Sequence, residues 1–209
     1  GSWYDEALEK EGAQKLIDMG CKLISQHADS MGAPTACENA GIPNVSYNGS
    51  TGEACPNTYI ISSRINWAPY YEYAIKAVMN GTTIDTDWTG TLATGSVVLT
   101  DLNTAVAAEG TAEAIAAATE KLEKGELHVF DTATFTTRAD DTMNAFKVDF
   151  LKVDADGRIT SYLADVDTDA AYTGDTEVVH DGYFAESEKR SAPYFDLEID
   201  GIERLDTKM

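Results

Sequence analysis

The feature that most constrains this chain is an alternation over residues 4–80, in which runs of helical spacing are interleaved with short apolar runs. Residues 4–19 carry Leu8, Leu16, Ile17 and Met19 between charged positions, the spacing of an amphipathic helix, and Gly20 supplies its stop. Residues 21–26 read as a buried strand. Residues 30–40 read as a short helix ending at Gly41, 43–47 as a second strand ending at Asn48-Gly49, and 58–65 as a third. Residues 69–80 predict a helix with Pro69 in its first turn, where proline is tolerated, and Gly81 at its end. Strands separated by helices in this way pair in parallel, so the expected class is α/β with a parallel sheet.

Past Gly81 the texture changes. Residues 95–102 (GSVVLTDL) predict a strand, 111–124 an Ala-rich helix stopped by Gly125, and 127–136 (LHVFDTATFT) another strand. From about residue 137 the chain is strand-like and acidic. The stretch FKVDFLKVDADGRITSYLADV alternates on both sides of Asp156-Gly157, a hairpin signal, and YFDLEIDGIERL alternates again. The expected organisation is an α/β lobe over residues 1–136 and an acidic β-rich extension over 137–209.

Charge removes several function classes. Fifteen basic residues stand against 36 acidic ones, a net charge of -21. Such a surface repels phosphate backbones and anionic lipid head groups, so neither nucleic acid nor a membrane surface is an expected partner. The acidic run DVDTDAAYTGDTE places Asp165, Asp167 and Asp169 like the first ligands of a calcium loop. Ala170 stands where that loop needs glycine, and Thr176 where it needs glutamate, so a solvated loop is expected. DADG at 154–157 reads as a turn. No cofactor or metal is expected. Of three cysteines, Cys21 reads as a small buried residue. Cys37 and Cys55 leave two readings open, a disulfide in an oxidising compartment or two free thiols.

Catalytic signatures are sparse. There are three histidines, His27, His128 and His180, and no GxSxG, HExxH or P-loop. In SQHADS, Ser25, His27 and Asp29 share a face only if the strand runs through Asp29, and a nucleophile also needs converging partners. Asp29 and Ser30 both suit the cap of the next helix. Binding therefore ranks above catalysis, with a hydrolase using His27 and Asp29 as the rival. In open α/β sheets, ligands bind beyond the carboxyl ends of strands. QHADS, YNGS and SRINW are three such ends, and they nominate His27, Asp29, Tyr47, Asn48, Arg64, Asn66 and Trp67 as a ligand rim. Amides and carboxylates hold hydroxyls, and aromatic rings stack on a flat ring.

WYDEALEKEGAQKLIDMGCKLISQHADS, GIPNVSYNG, NTYIISSRINWAPYYEYAIKAVMNGT, DWTGTLATGSVVL and KGELHVFDT together resemble the basic membrane protein family over about residues 3–135. These are substrate-binding lipoproteins of ABC importers, of the purine-nucleoside receptor type. The resemblance implies a lobe like that of type I periplasmic binding proteins, in which two lobes close on a ligand about a three-strand hinge. It adds Trp3 as a further strand-end residue. Tyr47 and Asn48 fall where family members place an Asp for ribose hydroxyls, and Arg64, Asn66 and Trp67 fall on the returning hinge strand and helix start. Trp3 and Trp67 serve equally as core packing, and Arg64 as a surface partner for the many acids. The tail departs from the family: Val129-Phe130 leads into Asp131-Thr132-Ala133 instead of a Gly-Pro-Ile-type segment. Because the chain opens on Gly1-Ser2 without Met, it is expected to be the C-terminal portion of a longer protein. Its N-terminal lobe, and a lipid anchor as its one link to a membrane, then lie outside it. The implied function is extracytoplasmic binding of a nucleoside or similar small polar ring compound, delivered to an ABC permease. The alternative is a sensing or interaction module of the same fold without transport.

Overall fold

Asp5 and Glu9 set the first helix. The Asp5 carboxylate accepts the Leu8 N–H (3.0 Å), and Glu9 Oε1 accepts the Asp5 N–H (2.8 Å), so two N–H groups without helical partners are satisfied reciprocally. The computed structural model describes residues 3–137, 150–166, 174–185, 197–203 and 205. It divides into two compact units, Gly1–Glu123 with Leu205–Met209, and Lys124–Arg204.

In the first unit, helix α1 (Glu6–Asp18) leads to strand β1 (Ile24–Ser25), helix α2 (Gly32–Ala40), strand β2 (Asn44–Tyr47) and strand β3 (Tyr59–Ile65). Helix α3 (Ala68–Asn80), strand β4 (Val97–Leu99) and helix α4 (Thr111–Glu123) come next. The sheet order is β1-β2-β3-β4. The first three strands are parallel, as the alternation predicts, while β4 runs antiparallel to the end of β3, with Ile65 opposite Val97 and Ser63 opposite Leu99. Glycines close α2 and α3 in the left-handed conformation, Gly41 and Gly81 both at φ 67°.

The core of this unit lies where α1 crosses α2, around Ala13, Ile24, Ala33, Ala36 and Cys37. Gly32 makes the crossing close: a Cβ there would sit 2.3 Å from the Glu6 carbonyl oxygen and 2.9 Å from the Lys10 nitrogen, both backbone atoms of α1. Only glycine fits that contact. The Glu38 carboxylate ties α2 to the β2–β3 loop, accepting from the Asn57 N–H and side-chain amide and from Thr58 Oγ1 (2.7 Å). The hydrogen bond from Thr58, with those from Asn57, holds its pKa below the usual glutamate value.

In the second unit the DADG hairpin forms as expected. Strand β5 (Leu151–Val153) pairs antiparallel with β6 (Ile159–Ala164), which pairs with β7 (Thr176–Glu177), and β8 (Val179–His180) pairs with β9 (Tyr183–Phe184). Asp154 Oδ1 accepts the Asp156 and Arg158 N–H groups (2.9 Å each), which forms the turn. The core gathers Leu151, Ile159, Tyr162, Val178, Phe184 and Leu197. The strand expected over 127–136 does not form. Asp131 instead folds the chain back on itself, its side chain accepting the Ala133 N–H (2.9 Å) and its carbonyl accepting from Thr134, leaving a single bridge to Tyr183. The alternation read in the tail also yields no strand over 197–203, where the chain turns at Asp200-Gly201; residues 194–196 lie outside the described residues. So does most of the acidic run 165–177, whose last two residues form β7.

Candidate ligand site at the strand ends

Strand β1 stops at Ser25, so the Ser25-His27-Asp29 face that a triad needs does not exist. Gln26 shapes the loop beyond it. Its N–H continues the parallel ladder to the Val45 carbonyl (3.1 Å), and its amide donates to the Ala28 and Ser30 carbonyls (3.3 and 3.4 Å). The buried Asn44 amide donates to the Ile24 carbonyl (3.0 Å) and to Gln26 Oε1 (3.3 Å). Ser46 Oγ donates to Asn44 Oδ1 (2.6 Å). A polar chain inside the sheet thus holds the loop that carries His27.

His27 is presented at the carboxyl end of β1 and stacks on Tyr47 at the carboxyl end of β2, with centroids 4.0 Å apart and planes 25° apart. The Trp3 ring lies 6.1 Å from His27 at 53° and is 74% exposed. The Asp29 N–H donates to the Trp3 carbonyl (3.0 Å), which fastens the two segments together. Neither Asp29 nor Ser30 is the cap of α2, which is Met31 with no side-chain cap bond. Ser30, one place before it, accepts the Gly32 N–H at its Oγ (3.1 Å) and donates to Glu9, whose carboxylate also takes the Ser30 N–H (3.2 Å). The exposed Asp29 carboxylate has no partner among the described residues.

After Tyr47 the chain turns through Asn48 at φ 61°, a left-handed conformation asparagine tolerates, and the Asn48 N–H donates to the Ser63 carbonyl (2.7 Å). The turn closes a cleft of about 370 Å³ lined by Asn48, Gly49, Ser50, Arg64, Thr100 and Asp101, with Leu99. Thr100 is tied down, its Oγ1 accepting the Ser62 N–H (2.9 Å), whereas Arg64 and Asp101 are exposed, with no ion pair among the described residues. The cleft therefore offers a cation and an anion together with Asn48, the residue that follows Tyr47, an arrangement suited to hydroxyls and amides.

The structure thus gathers Trp3, His27 and Tyr47 into one aromatic group and Asn48 and Arg64 into a cleft that begins at the residue after Tyr47. Asn66 and Trp67 are placed elsewhere. The Asn66 amide donates to the Gly95 carbonyl (2.9 Å) and its oxygen accepts the Ala68 N–H (3.3 Å) at the start of α3, while Trp67 stacks on Tyr71. The sequence reading missed Gln26, Asn44, Glu9 and Asp101. Gln26 lies inside the nominated QHADS segment and Asp101 inside the strand read over 95–102; Asn44 and Glu9 act across the fold, and nothing local marks them. The disulfide left open between Cys37 and Cys55 is not formed: both are buried free thiols. Burial, with Cys55 close by, pushes the Cys37 pKa up to about 11.

The profile of the family described as Bmp, ABC transporter substrate-binding protein PnrA-like, matches residues 1–132. The chain belongs to this family. A relative from Haloferax volcanii, provisionally named ABC transporter glucose-binding protein TsgA13, is 30% identical over 141 residues, covering 67% of this chain and 36% of that protein. The purine-binding protein BAB2_0673 of Brucella abortus is 35% identical over 81 residues, 39% of this chain and 23% of that one. Among solved structures, an ABC transporter solute-binding protein from Conexibacter woesei superposes with a TM-score of 0.50 at 25% identity, covering 60% of this chain and 43% of that one. The first unit is accordingly a lobe of the type I periplasmic-binding-protein kind, and the chain spans well under half the length of these relatives.

Proposed function

We propose that this chain is the ligand-binding C-terminal portion of an extracytoplasmic solute-binding protein that serves an ABC importer. The family membership supports the class. No helix among the described residues is long and apolar enough to cross a membrane. The ligand is a nucleoside or a related small polar ring compound. The observation that carries this reading is the His27–Tyr47 stack at the carboxyl ends of two parallel strands, where ligands of open α/β sheets bind. The ring lies against this stack and Trp3, and its hydroxyls are held by Asn48, Arg64 and the carboxylates of Asp29 and Asp101. The names of the two relatives, one purine-binding and one glucose-binding, fit a site that offers both aromatic faces and hydroxyl partners. The work done is binding rather than bond-breaking. Solute bridges two lobes, stabilises the closed state through its greater affinity for it, and the closed form docks on a permease.

The test is a thermal-shift series on the longer protein with adenine, adenosine, glucose and an amino-acid mixture. A rise in Tm with adenosine or adenine, at about 2–4 °C per kcal/mol of linkage, is the expected result. A shift with glucose alone replaces the nucleoside with a sugar. No shift with any ring compound overturns the ligand assignment.

A further inference from the structure

The acidic second unit holds a cleft of its own. After the turn at Asp131, residues 134–137 run between the tip of the β5–β6 hairpin and the turn at Asp200-Gly201. On the hairpin side, the Thr137 N–H donates to the Gly157 carbonyl (2.8 Å). On the other side, the Asp200 N–H donates to the Thr136 carbonyl (2.9 Å) and the Thr136 hydroxyl donates to the Asp200 carboxylate (2.7 Å). The Thr137 hydroxyl donates to the Glu198 carbonyl. These three segments surround a cleft of about 390 Å³, lined by residues 133–136, Arg158, Ile199 and Asp200. All of them follow Thr132, where the match to the family profile ends, so the segment shared with the family does not specify what this cleft holds.

Arg158 brings a positive charge to the cleft. Its exposed guanidinium meets the Asp156 carboxylate only at 3.8 Å, a surface pair of little strength. Asp200 brings a carboxylate that Thr136 orients. A guanidinium only donates and a carboxylate only accepts, while the Thr134 and Thr136 hydroxyls already donate and keep lone pairs to accept. A ligand that meets all of these must donate and accept over a short span, as adjacent sugar hydroxyls do. Phe135 and Ile199, both half-buried, offer apolar wall for the C–H face of such a ring. Charged ligands fit worse. Asp154 and Asp156 in the turn that carries Arg158, and the net charge of -21, oppose an anion, and Arg158 itself opposes a cation. The volume falls near the lower end of the roughly 300–1,000 Å³ of small-molecule sites, which limits the ligand to one or two rings. We propose that this cleft is a second ligand site, which takes a neutral saccharide of one or two rings on Arg158 and Asp200. It does not rest on the nucleoside reading of the strand-end site.

The experiment titrates the 209-residue chain with glucose, N-acetylglucosamine, galactose and maltose, and separately with inorganic phosphate and calcium chloride, following backbone amide shifts by NMR. The expected result is that at least one sugar moves the amides of Thr134, Thr136, Arg158 and Asp200 and saturates them in the millimolar range. Arg158→Ala and Asp200→Asn should each weaken that sugar about fivefold or more, and Tyr47→Ala should leave it within about twofold. Arg158→Ala keeps the hairpin, because the Arg158 backbone N–H and not its side chain holds the Asp154 turn. If Asp200→Asn does not fold, Arg158→Ala carries the test. Sugars that leave these amides unmoved, or that bind Arg158→Ala as well as the unaltered chain, overturn the proposal. Sugar binding lost in Tyr47→Ala and kept in Arg158→Ala assigns the saccharide to the strand ends and overturns it too, as does a cleft that answers to phosphate or calcium but to no sugar. Adenosine binding by the longer protein should be the same in Arg158→Ala, so a failure here leaves the nucleoside reading in place.

Discussion

Helices α1 and α3 have the same length, 13 residues each, and opposite fates. α1 alternates charges with a few apolar residues and is locked against α2 at Gly32. α3 is richer in aromatic and aliphatic side chains and leaves most of them in water. Burial in this chain is therefore set by which partner the topology supplies, not by how apolar a helix is. The helix with a partner inside the chain is closed, and the one without is bare. For the same reason the apolar pattern of a sequence reveals which faces are apolar but not which of them find a partner.

Four substitutions and one condition sharpen that contrast. Gly32→Val forces a side chain into the α1 backbone, which cannot yield as a side-chain tip does, and is expected to destabilise the chain by about 3 kcal/mol in urea unfolding. A loss under about 1 kcal/mol would mean that α1 and α2 are not held this closely. Glu9→Ala removes the acceptor shared by Asp5 and Ser30 and is expected to cost about 1–2 kcal/mol, visible as a lower urea midpoint.

Acidification probes the Glu38 clamp. Its folded pKa is depressed, so its contribution is complete above the ordinary glutamate value of 4.5 and is lost as pH falls through the lower folded value. The urea midpoint should hold between about pH 7 and pH 5 and fall below that, and Glu38→Gln should flatten part of the fall. Glu177 in the second unit behaves in the same direction: burial opposes the shift, but hydrogen bonds from Ser161, Tyr162 and Val179 outweigh it. The slope remaining in Glu38→Gln therefore includes Glu177. The smallest effect is expected at the bare helix, where Met79→Ala should change the stability of this chain by less than about 0.5 kcal/mol.

Much of the first unit was legible because its strands are short, apolar and separated by glycine-closed helices. Gly41 and Gly81 stop their helices as the sequence says they should. The direction of β4 was not legible. Its Val-Val-Leu run suits either pairing, and only its return alongside Ser63–Ile65 makes it antiparallel. The strand read over 127–136 failed because Asp131 and Thr134 make local hydrogen bonds that compete with extension. At the candidate site, His27, Tyr47, Asn48 and Arg64 could be nominated from strand-end position alone. Asn66 shows the limit of that rule, since its amide is engaged at the start of α3. The residues that aim His27, namely Gln26 and the buried Asn44, carry no local signature because their role exists only once β1 and β2 are paired.

The strand-end stack of His27 on Tyr47 carries the ligand assignment. Its most direct test is the dissociation constant of adenosine for the longer protein, measured by titration calorimetry for the unaltered chain, Tyr47→Ala and Asn66→Ala. Tyr47→Ala should weaken adenosine about tenfold or more, roughly 1.4 kcal/mol, while Asn66→Ala should leave it within about twofold. Adenosine binding that is indifferent to Tyr47, or absent from the unaltered protein, would contradict it.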